Sequence, residues 1–357
     1  ALAHEALDPN VLTLGFARRF TEYKRPAMLL SQPERLARLL GHPDRPVQLI
    51  IAGKAHPRDE LGRSFVREWA SFVSRADVRT RAVFLEDYDM ALAEQLVQGV
   101  DVWINTPRRP WEASGTSGMK VLVNGGLNLS ELDGWWAEAY SPAVGWALGD
   151  GREHFEPGWD AVETEQLYAL LEQEVVPQFY ERDVEGIPRA WVARIRASLA
   201  GLTPRFSSNR MLADYLERLY LPAAESYRRR TATNLKTARD LRQWLRGLRR
   251  HWPEIHWGNL GIEAAGNEHV FRAQVYLGEI EPDAVSVELY AEPRPGEAPR
   301  RRPMRRDHAL SGAAGGYLYV AAVPADRPAA DYTPRIVASH PEAQVPAETP
   351  LIRWYPN

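Results

Sequence analysis

The order of apolar and polar residues changes near residue 252 and divides the chain into two parts. From about residue 11 to residue 150, short apolar runs alternate with longer amphipathic segments. The short runs are rich in β-branched and aromatic residues and predict strands at residues 11–16, 47–52, 82–85 and 102–105. The amphipathic segments predict helices at residues 26–40, 59–75 and 91–97. Strands that alternate with helices indicate an α/β fold with a parallel sheet covered on both faces.

The later residues predict first helices and then an all-β part. Helical spacing continues at residues 164–175, 190–200, 209–227 and 232–251. After Trp252, alternating segments predict strands at residues 270–276, 285–290, 316–322 and 335–339, with a Pro- and Arg-rich hairpin or loop at 293–303. This spacing favours a small antiparallel sandwich of the immunoglobulin-like class. We therefore expect an α/β lobe at residues 1–205, linking helices at 206–252 and a β-sandwich domain at 253–357.

Composition excludes several classes of protein. The 357 residues carry 44 basic and 47 acidic side chains, and this balance offers no basic surplus for a nucleic acid or an anionic membrane. The absence of cysteine excludes disulfides and thiolate metal sites. No apolar run approaches the roughly 20 residues of a membrane span. We expect a cytoplasmic protein, and the missing initial Met suggests a piece of a longer one.

Lysine is rare in this chain. Arginine supplies all basic residues except Lys24, Lys54, Lys120 and Lys236. A chain that uses arginine for ordinary positive charge keeps lysine in few places, and these places are candidates for imine formation with an aldehyde, which arginine cannot perform. Skewed codon usage is the alternative explanation, and we prefer it for Lys236, which lies on a charged predicted helix.

Three loops that follow predicted strands carry candidate chemistry, because ligands of parallel α/β sheets bind at the carboxyl ends of strands. The first loop, residues 15–25, carries four cations that favour an anion site: Arg18, Arg19, Lys24 and Arg25. The second loop, residues 84–91, reads Phe-Leu-Glu-Asp-Tyr-Asp-Met-Ala. An acidic N-cap before a helix is an alternative explanation for this second loop.

The third loop, residues 111–120, combines small residues with a lysine. The small residues from 113 to 118 would let a ligand approach the backbone closely. A helix that begins near Thr116 would direct free N–H groups at a phosphate. Lys120 would then lie one turn inside that helix and reach the same pocket.

These loops resemble segments of one enzyme family. Glu-Ala-Ser-Gly-Thr-Ser-Gly-Met-Lys at residues 112–120 resembles the cofactor-lysine motif of the glycogen, starch and maltodextrin phosphorylases. Residues 18–25 resemble their phosphate-binding loop, and further similar segments lie at 53–55, 85–94 and 127–134. The resemblance covers about residues 11–225. Asp-Gly-Trp-Trp at 133–136 and the β-rich part look most like the shorter bacterial and archaeal α-glucan phosphorylases.

The resemblance implies the C-terminal Rossmann-like lobe of a two-lobed (GT-B) glycosyltransferase. The family transfers a glucosyl unit from the non-reducing end of an α-1,4-glucan to inorganic phosphate and releases glucose 1-phosphate. Its cofactor is pyridoxal 5′-phosphate, whose phosphate acts as acid and base toward the substrate phosphate. The first lobe has no counterpart in this sequence. We therefore expect the chain alone to bind the cofactor loosely and to lack activity.

The resemblance also assigns roles to particular residues. Lys120 would form the Schiff base with the cofactor. The phosphate side of the cofactor would be held by Arg18 and Tyr88 and by the backbone N–H groups of Gly115, Thr116 and Ser117. Arg19 and Lys24 would bind the substrate phosphate. The glucosyl hydroxyls would be bound by Glu112, Ser114 and Gly115.

Two residues depart from the pattern of many relatives, and one of them, Arg18, stands where the longer enzymes commonly have a lysine. Asp89 stands where many relatives place an arginine near the cofactor phosphate, and we interpret it as a trait of the shorter subfamily. The predicted helices at 209–227 would cross toward the missing lobe and expose apolar surface, which favours homo-oligomers. In the β-rich part, four aromatic residues are candidates either for stacking on glucan or for the sandwich core: Trp257, Tyr276, Tyr290 and Tyr317.

Two alternative functions stay open. A nucleotide-sugar glucosyltransferase of the same fold, such as a glycogen synthase, would use comparable Arg and Lys loops but would not need an imine at Lys120. A non-catalytic glucan-binding fragment would keep the lobe only as a scaffold. The combination of Lys120 with Arg19 and Lys24 favours the phosphorylase.

Overall fold

The computed structural model describes residues 7–294 and 297–356. The chain divides into two compact units, residues 1–213 and 214–357, and each is described by itself. Residues 295 and 296, inside the predicted Pro- and Arg-rich hairpin or loop, lie outside the described residues. In the described part of the chain, no helix combines the length and the apolar character that crossing a membrane requires.

The first unit is built on a six-stranded sheet in which every neighbouring pair is parallel. Its strands are β1 Leu12–Ala17, β2 Val47–Ala52, β3 Ala82–Leu85, β4 Val102–Asn105, β5 Leu127–Glu131 and β6 Gly145–Leu148. The predicted parallel sheet is therefore confirmed, and β1 to β4 lie where the apolar runs placed them. Our prediction omitted β5 and β6. In β5 the polar Asn128 and Ser130 are buried, so its sequence lacks an uninterrupted apolar run.

The strand order is β3-β2-β1-β4-β5-β6, which is the order of a doubly wound sheet. In this topology the chain leaves β1 toward one edge and returns to β4 beside it. The connections after β1 and β4 therefore diverge and leave a crevice at the carboxyl ends of these two strands. The loops at 18–25 and 106–115 follow these two strands.

Helices cover both faces of the sheet. They are α1 Pro33–Leu40, α2 Glu60–Val73, α3 Met90–Gly99, α4 Thr116–Val123, α5 Gly134–Ala139, α6 Trp159–Leu170, α7 Val176–Tyr180 and α8 Arg189–Leu202. Helix α9, Ser208–Tyr215, follows them and has no buried residue. The predicted helix at 26–40 was wrong in its first half, because α1 begins only at Pro33. Proline has no N–H group and its ring excludes the preceding helical turn, so Pro33 fits the first position of a helix and not its middle.

Successive residues of β2 enter two different apolar clusters. Leu49 and Ile51 pack with Trp69 of α2 on one face, whereas Ile50 and Ala52 pack with Trp103 on the other. Both faces of the sheet are therefore buried, as a parallel sheet between two helical layers requires. The buried sheet carries the candidate loops at its carboxyl edge.

The second unit begins with helical residues. Helix α10, Leu221–His251, is interrupted at Ala232–Leu235, where Thr233, Asn234 and Leu235 have left-handed backbone angles. The helix predicted to start at residue 232 was therefore wrong at its start, because the helical backbone resumes only after Leu235. Leu248, near the end of α10, is buried in the apolar core of the β part.

Two four-stranded sheets complete the second unit. Their strands are β7 His256–Ala265, β8 Glu268–Tyr276, β9 Val285–Ala291, β10 Arg300–Pro303, β11 Arg305–Ala309, β12 Gly316–Pro324, β13 Tyr332–Ala338 and β14 Ile352–Trp354. The sheet orders are β10-β9-β13-β14 and β11-β12-β8-β7, and all pairings are antiparallel. Phe271 and Val275 of one sheet share a core with Val287, Leu289 and Ile336 of the other. The expected antiparallel sheets are present, and β7, β10, β11 and β14 extend the prediction.

Candidate active site

Arg18 occupies the crevice after β1 and is buried. Its guanidinium group donates a hydrogen bond to the side-chain carbonyl of Asn105, at the end of β4. Its Nε–H group is also buried and has no hydrogen-bond partner in the described part of the chain. Burial lowers the pKa of Arg18 to about 10, although the nearby Glu112, Tyr88 and Tyr23 favour the charged form. Arg18 is therefore a buried cation with an unused donor.

Lys24 and Glu112 form a buried ion pair between the loops after β1 and β4. The Lys24 ammonium group also lies 4.9 Å from the centroid of the Tyr23 ring. The backbone N–H of Glu112 donates to the carboxylate of Asp133 at 2.8 Å, and Asp133 is itself buried. Asp133 thus fixes the backbone that carries Glu112, and the Tyr23 ring lies beside the Lys24 ammonium group.

The backbone between Glu112 and α4 depends on glycine. Gly115 has a left-handed φ of 92° and directly precedes the first residue of α4. Gly134 opens α5 with a φ of 54°, and a Cβ atom there would lie 2.4 Å from the carbonyl oxygen of Ser114. That carbonyl accepts the N–H of Trp135 at 2.8 Å. The loop therefore packs its backbone directly against the start of α5.

Helix α4 begins at Thr116, in agreement with the prediction. The first N–H groups of a helix have no partner within it, so those of Thr116 and Ser117 are free to face a ligand. The Ser117 hydroxyl accepts a hydrogen bond from the indole N–H of Trp103 at 3.1 Å. Lys120 lies one turn into α4 and is exposed, and within residues 7–294 and 297–356 its ammonium group has no ion-pair partner. Its amine is accessible.

Tyr88 of the second loop lies close enough to Arg18 for their charges to interact. It is half-buried, and burial raises the pKa of its phenol while Arg18 opposes that shift. Asp89 caps α3 by accepting the N–H of Leu92 at 2.8 Å. The N-cap explanation is therefore confirmed for Asp89. Asp87 forms a 3.4 Å ion pair with Lys54, and both side chains are exposed.

Two predicted site residues stand apart from this cluster. The side chain of Arg19 is exposed and makes no hydrogen bond or ion pair with the described residues. The side chain of Ser114 is also exposed, and only its backbone carbonyl takes part in the packing described above. The structure therefore brings Arg18, Lys24 and Glu112 together and leaves Arg19 and Ser114 facing solvent.

Sequence reasoning gave no structural role to Arg25. This buried residue has a left-handed φ of 47°, and its guanidinium group contacts Glu131, Glu163 and Asp160. Burial and the neighbouring Glu163 carboxylate raise the pKa of Glu131 above that of an ordinary glutamate. The run of cations in the first loop could have drawn attention to Arg25. Its partners lie 106 to 138 residues away and gave no local signal.

A cavity of about 530 Å³ lies beside this network. Arg25, Arg108 and Asp160 form its polar side, and Met28 and Phe65 belong to its apolar side. Another cavity, of about 590 Å³, lies at the ends of β2 and β3 and includes Lys54 and Phe84 in its lining. Both cavities are neighbours of the loops that carry the candidate residues.

Comparison with known proteins assigns both parts of the chain. Residues 4–145 match the family model described as carbohydrate phosphorylase. Residues 252–356 match the model described as the glycogen phosphorylase C-terminal domain. Both matched parts of the chain are therefore similar to carbohydrate phosphorylases. The first match contains the whole cluster around Arg18 together with Lys120, and the second contains the two antiparallel sheets.

Three relatives show how much of a phosphorylase the chain represents. It is 44% identical over 291 residues to the glycogen phosphorylase of Mycobacterium tuberculosis, covering 79% of this chain and 34% of the relative. It is 38% identical over 285 residues to the maltodextrin phosphorylase of Thermococcus litoralis, covering 80% of this chain and 33% of the relative. The glycogen phosphorylase of Aquifex aeolicus is 46% identical over 214 residues, covering 60% of this chain and 31% of the relative. The chain thus spans about a third of the length of these phosphorylases.

Proposed function

We propose that this chain is the cofactor- and phosphate-binding part of an α-1,4-glucan phosphorylase. The complete protein would transfer a glucosyl unit from the non-reducing end of glucan to inorganic phosphate and release glucose 1-phosphate. The observation that carries this proposal is the meeting of Arg18, Lys24 and Glu112 at the topological switch point of the sheet. Ligands of doubly wound sheets bind at this point.

The charges of the cluster suit an anionic substrate beside a sugar. Arg18 and Lys24 are buried cations, and Glu112 is the carboxylate that faces them. Arg19 follows Arg18 in the chain, is exposed and has no competing partner in the described residues. In the proposed reaction Arg19 and Lys24 bind phosphate and stabilise its negative charge opposite the positive charge that develops on the departing sugar. The Glu112 carboxylate accepts hydrogen bonds from sugar hydroxyls, and Ser114 and Gly115 bind hydroxyls of the same ring.

The same residues fit pyridoxal 5′-phosphate. The amine of Lys120 is accessible for covalent attachment of an aldehyde, and the buried Nε–H of Arg18 lacks a partner. The free N–H groups of Thr116 and Ser117, with Gly115 before them, form an anion site at the start of α4. Tyr88 and Arg18 lie on the phosphate side of the cofactor in this proposal. When bound, the cofactor supplies a phosphate that can donate and accept a proton near neutral pH.

Several further features belong to this proposal. We infer a two-lobed GT-B arrangement in which residues 1–205 form the second lobe, 206–252 the linking helices and 253–357 an immunoglobulin-like sandwich. The first lobe, the glucan and phosphate are its partners, and the chain by itself is expected not to phosphorolyse glucan. Exposed apolar side chains of α9 and α10, among them Leu212 and Leu221, favour association with another lobe or another copy.

Trapping of the cofactor tests the proposal directly. The chain is mixed with pyridoxal 5′-phosphate, reduced with borohydride, digested and analysed by peptide mass spectrometry. We expect the adduct on Lys120 and its loss in Lys120→Arg, whereas Lys236→Arg should leave it unchanged. An adduct spread over Lys24, Lys54 and Lys236 would contradict the assignment.

A second experiment separates the phosphorylase from the alternatives. The chain is supplied with the remaining lobe, either in one polypeptide or in trans, and release of glucose 1-phosphate from maltodextrin is measured. Phosphorolysis that requires Lys120 supports the proposal. Glucosyl transfer from a nucleotide sugar without the cofactor would indicate a synthase, and glucan binding without turnover would indicate a binding fragment.

A further inference from the structure

The outer face of one sheet in the second unit carries aromatic and charged residues that the proposed reaction does not use. In β9, Val287 and Leu289 enter the core while Glu288 and Tyr290 lie on the opposite face. The register places Arg335 of β13 beside Glu288 on one side and beside Trp354 of β14 on the other. These four residues form one patch, which we call the β9–β14 face.

The contacts within the β9–β14 face are tight. Arg335 donates from Nε to the carboxylate of Glu288 at 2.7 Å, and both side chains are largely buried. The guanidinium carbon of Arg335 lies 4.2 Å from the ring centroid of Tyr290 and 5.0 Å from that of Trp354. The two ring centroids are 5.4 Å apart, and Trp354 remains 43% exposed. Two rings are therefore fixed in place by one ion pair, and one of them faces solvent.

Polar groups and further rings border this face. A cavity of about 270 Å³ adjoins it and is lined partly by Ser286, Glu288, Arg301, Arg335 and His340. On its other side the indole N–H of Trp257 donates to the backbone carbonyl of Trp354 at 2.9 Å. The Tyr355 ring lies 5.5 Å from that of Trp257. The exposed ring of Trp354 therefore lies beside a polar cleft, and its backbone is bonded to Trp257.

We propose that the β9–β14 face binds a neutral α-1,4-glucan chain as a non-catalytic site. A glucose ring has apolar C–H faces that pack on aromatic rings and hydroxyls at its rim that need hydrogen-bond partners. Trp354 supplies the exposed ring, the partly buried Tyr290 packs edge-on against it, and the cleft supplies donors and acceptors. Because Glu288 neutralises Arg335, the ion pair beside the rings adds no net charge to the site. The choice of glucan rests on the proposed function.

The structure separates this site from the other aromatic candidates. Trp257 and Tyr317 pack against the core of the sandwich, which is the alternative that the sequence left open for them. Tyr276 stacks on His256 with 4.6 Å between ring centroids. Tyr290 lies on the β9–β14 face, and Trp354, which the sequence did not single out, is its exposed partner.

Calorimetric titration of the chain with maltoheptaose, without cofactor and without phosphate, tests the site. We expect binding, and we expect Trp354→Ala and Tyr290→Ala to weaken it by on the order of tenfold each. Trp354→Phe, which keeps a ring, should bind more tightly than Trp354→Ala. The matched control is Tyr227→Ala, because Tyr227 is an exposed aromatic residue of α10 and should not affect binding. Cellohexaose, whose β-linkage gives an extended chain, should bind more weakly.

Absence of binding, or equal binding by Trp354→Ala and Tyr227→Ala, would overturn the proposal. Circular dichroism of each variant shows whether the sandwich is folded. If Trp354→Ala does not fold, Trp354→Phe still tests the site. The result is independent of catalysis. Loss of glucan binding with intact trapping of the cofactor at Lys120 would reject this site alone, whereas glucan binding without trapping would reject the phosphorylase assignment.

Discussion

Lys24 and Glu112 contact each other through their charged groups although 88 residues separate them in sequence. Each belongs to a loop that follows one of the two strands at the switch point, so the pair links the loop at residues 18–25 to the loop before α4. Neither side chain is exposed enough for water to replace its partner. The pair thus fixes the loop after β1 and the loop after β4 next to each other in the proposed site.

Breaking this pair should be costly. Lys24→Met leaves the Glu112 carboxylate buried without its cation, and we expect the free energy of unfolding to fall by about 3 kcal/mol. Urea denaturation measures this loss. The double variant with Glu112→Gln should lose less than the sum of the single losses, because the two groups interact. Lys54→Met removes the exposed ion pair with Asp87 and should change stability little. Equal effects of Lys24→Met and Lys54→Met would contradict this reading of the pair.

Gly134 is required by its backbone and by its neighbour. Gly134→Ala would place a Cβ atom 2.4 Å from the Ser114 carbonyl oxygen and should destabilise the chain by about 3 kcal/mol. Gly125→Ala is the matched control, because Gly125 has a φ of 86° but a Cβ atom there would meet nothing within 4 Å. That variant should cost only about 1 kcal/mol, from backbone strain. Thermal unfolding compares the two, and equal losses would show that the contact with Ser114 is unimportant.

The raised pKa of Glu131 predicts a pH dependence of stability. The folded chain holds a proton on this buried carboxyl more tightly than the unfolded chain does, because of burial and the nearby Glu163. As the pH rises above about 5, the unfolded chain releases its proton first, so the free energy of unfolding should fall. Glu131→Gln cannot titrate and should show a flatter profile between about pH 5 and 8. The exposed Glu138→Gln should keep the slope of the wild type, and a parallel profile for Glu131→Gln would refute the assignment.

Arg18 should control cofactor binding without forming a covalent bond. Arg18→Met removes the buried guanidinium group beside Tyr88, and we expect the cofactor concentration needed for half-maximal trapping at Lys120 to rise by on the order of tenfold. Arg67→Met changes an exposed arginine of α2 and should leave that concentration unchanged. If both variants trap equally well, Arg18 does not hold the phosphate side of the cofactor.

Local patterns determined much of the first unit. The apolar runs at β1 to β4 and the amphipathic segments between them were enough to predict a parallel sheet. The spacing of apolar residues and the length of each segment indicate which faces of a strand or helix are buried. The string at residues 112–120 likewise placed the start of α4 at Thr116. Pro26 and Pro33 show the limit of periodicity. The spacing of apolar residues predicted a helix from residue 26, but the helix begins only at Pro33, because proline fits the first position of a helix and not its middle.

Only the tertiary structure decided which polar groups meet. The pairing of Lys24 with Glu112, the burial of Arg25 among Glu131 and Glu163, and the stacking of Arg335 on Trp354 join residues that are distant in sequence or lie on different strands. A single polar residue forms no repeating pattern, so the residues next to it in sequence do not indicate its distant partner. The sequence determined four strands of the parallel sheet and the residue types in the loops that follow them. The order of the strands in the sheet decided which loops adjoin, and therefore which charges share one buried site.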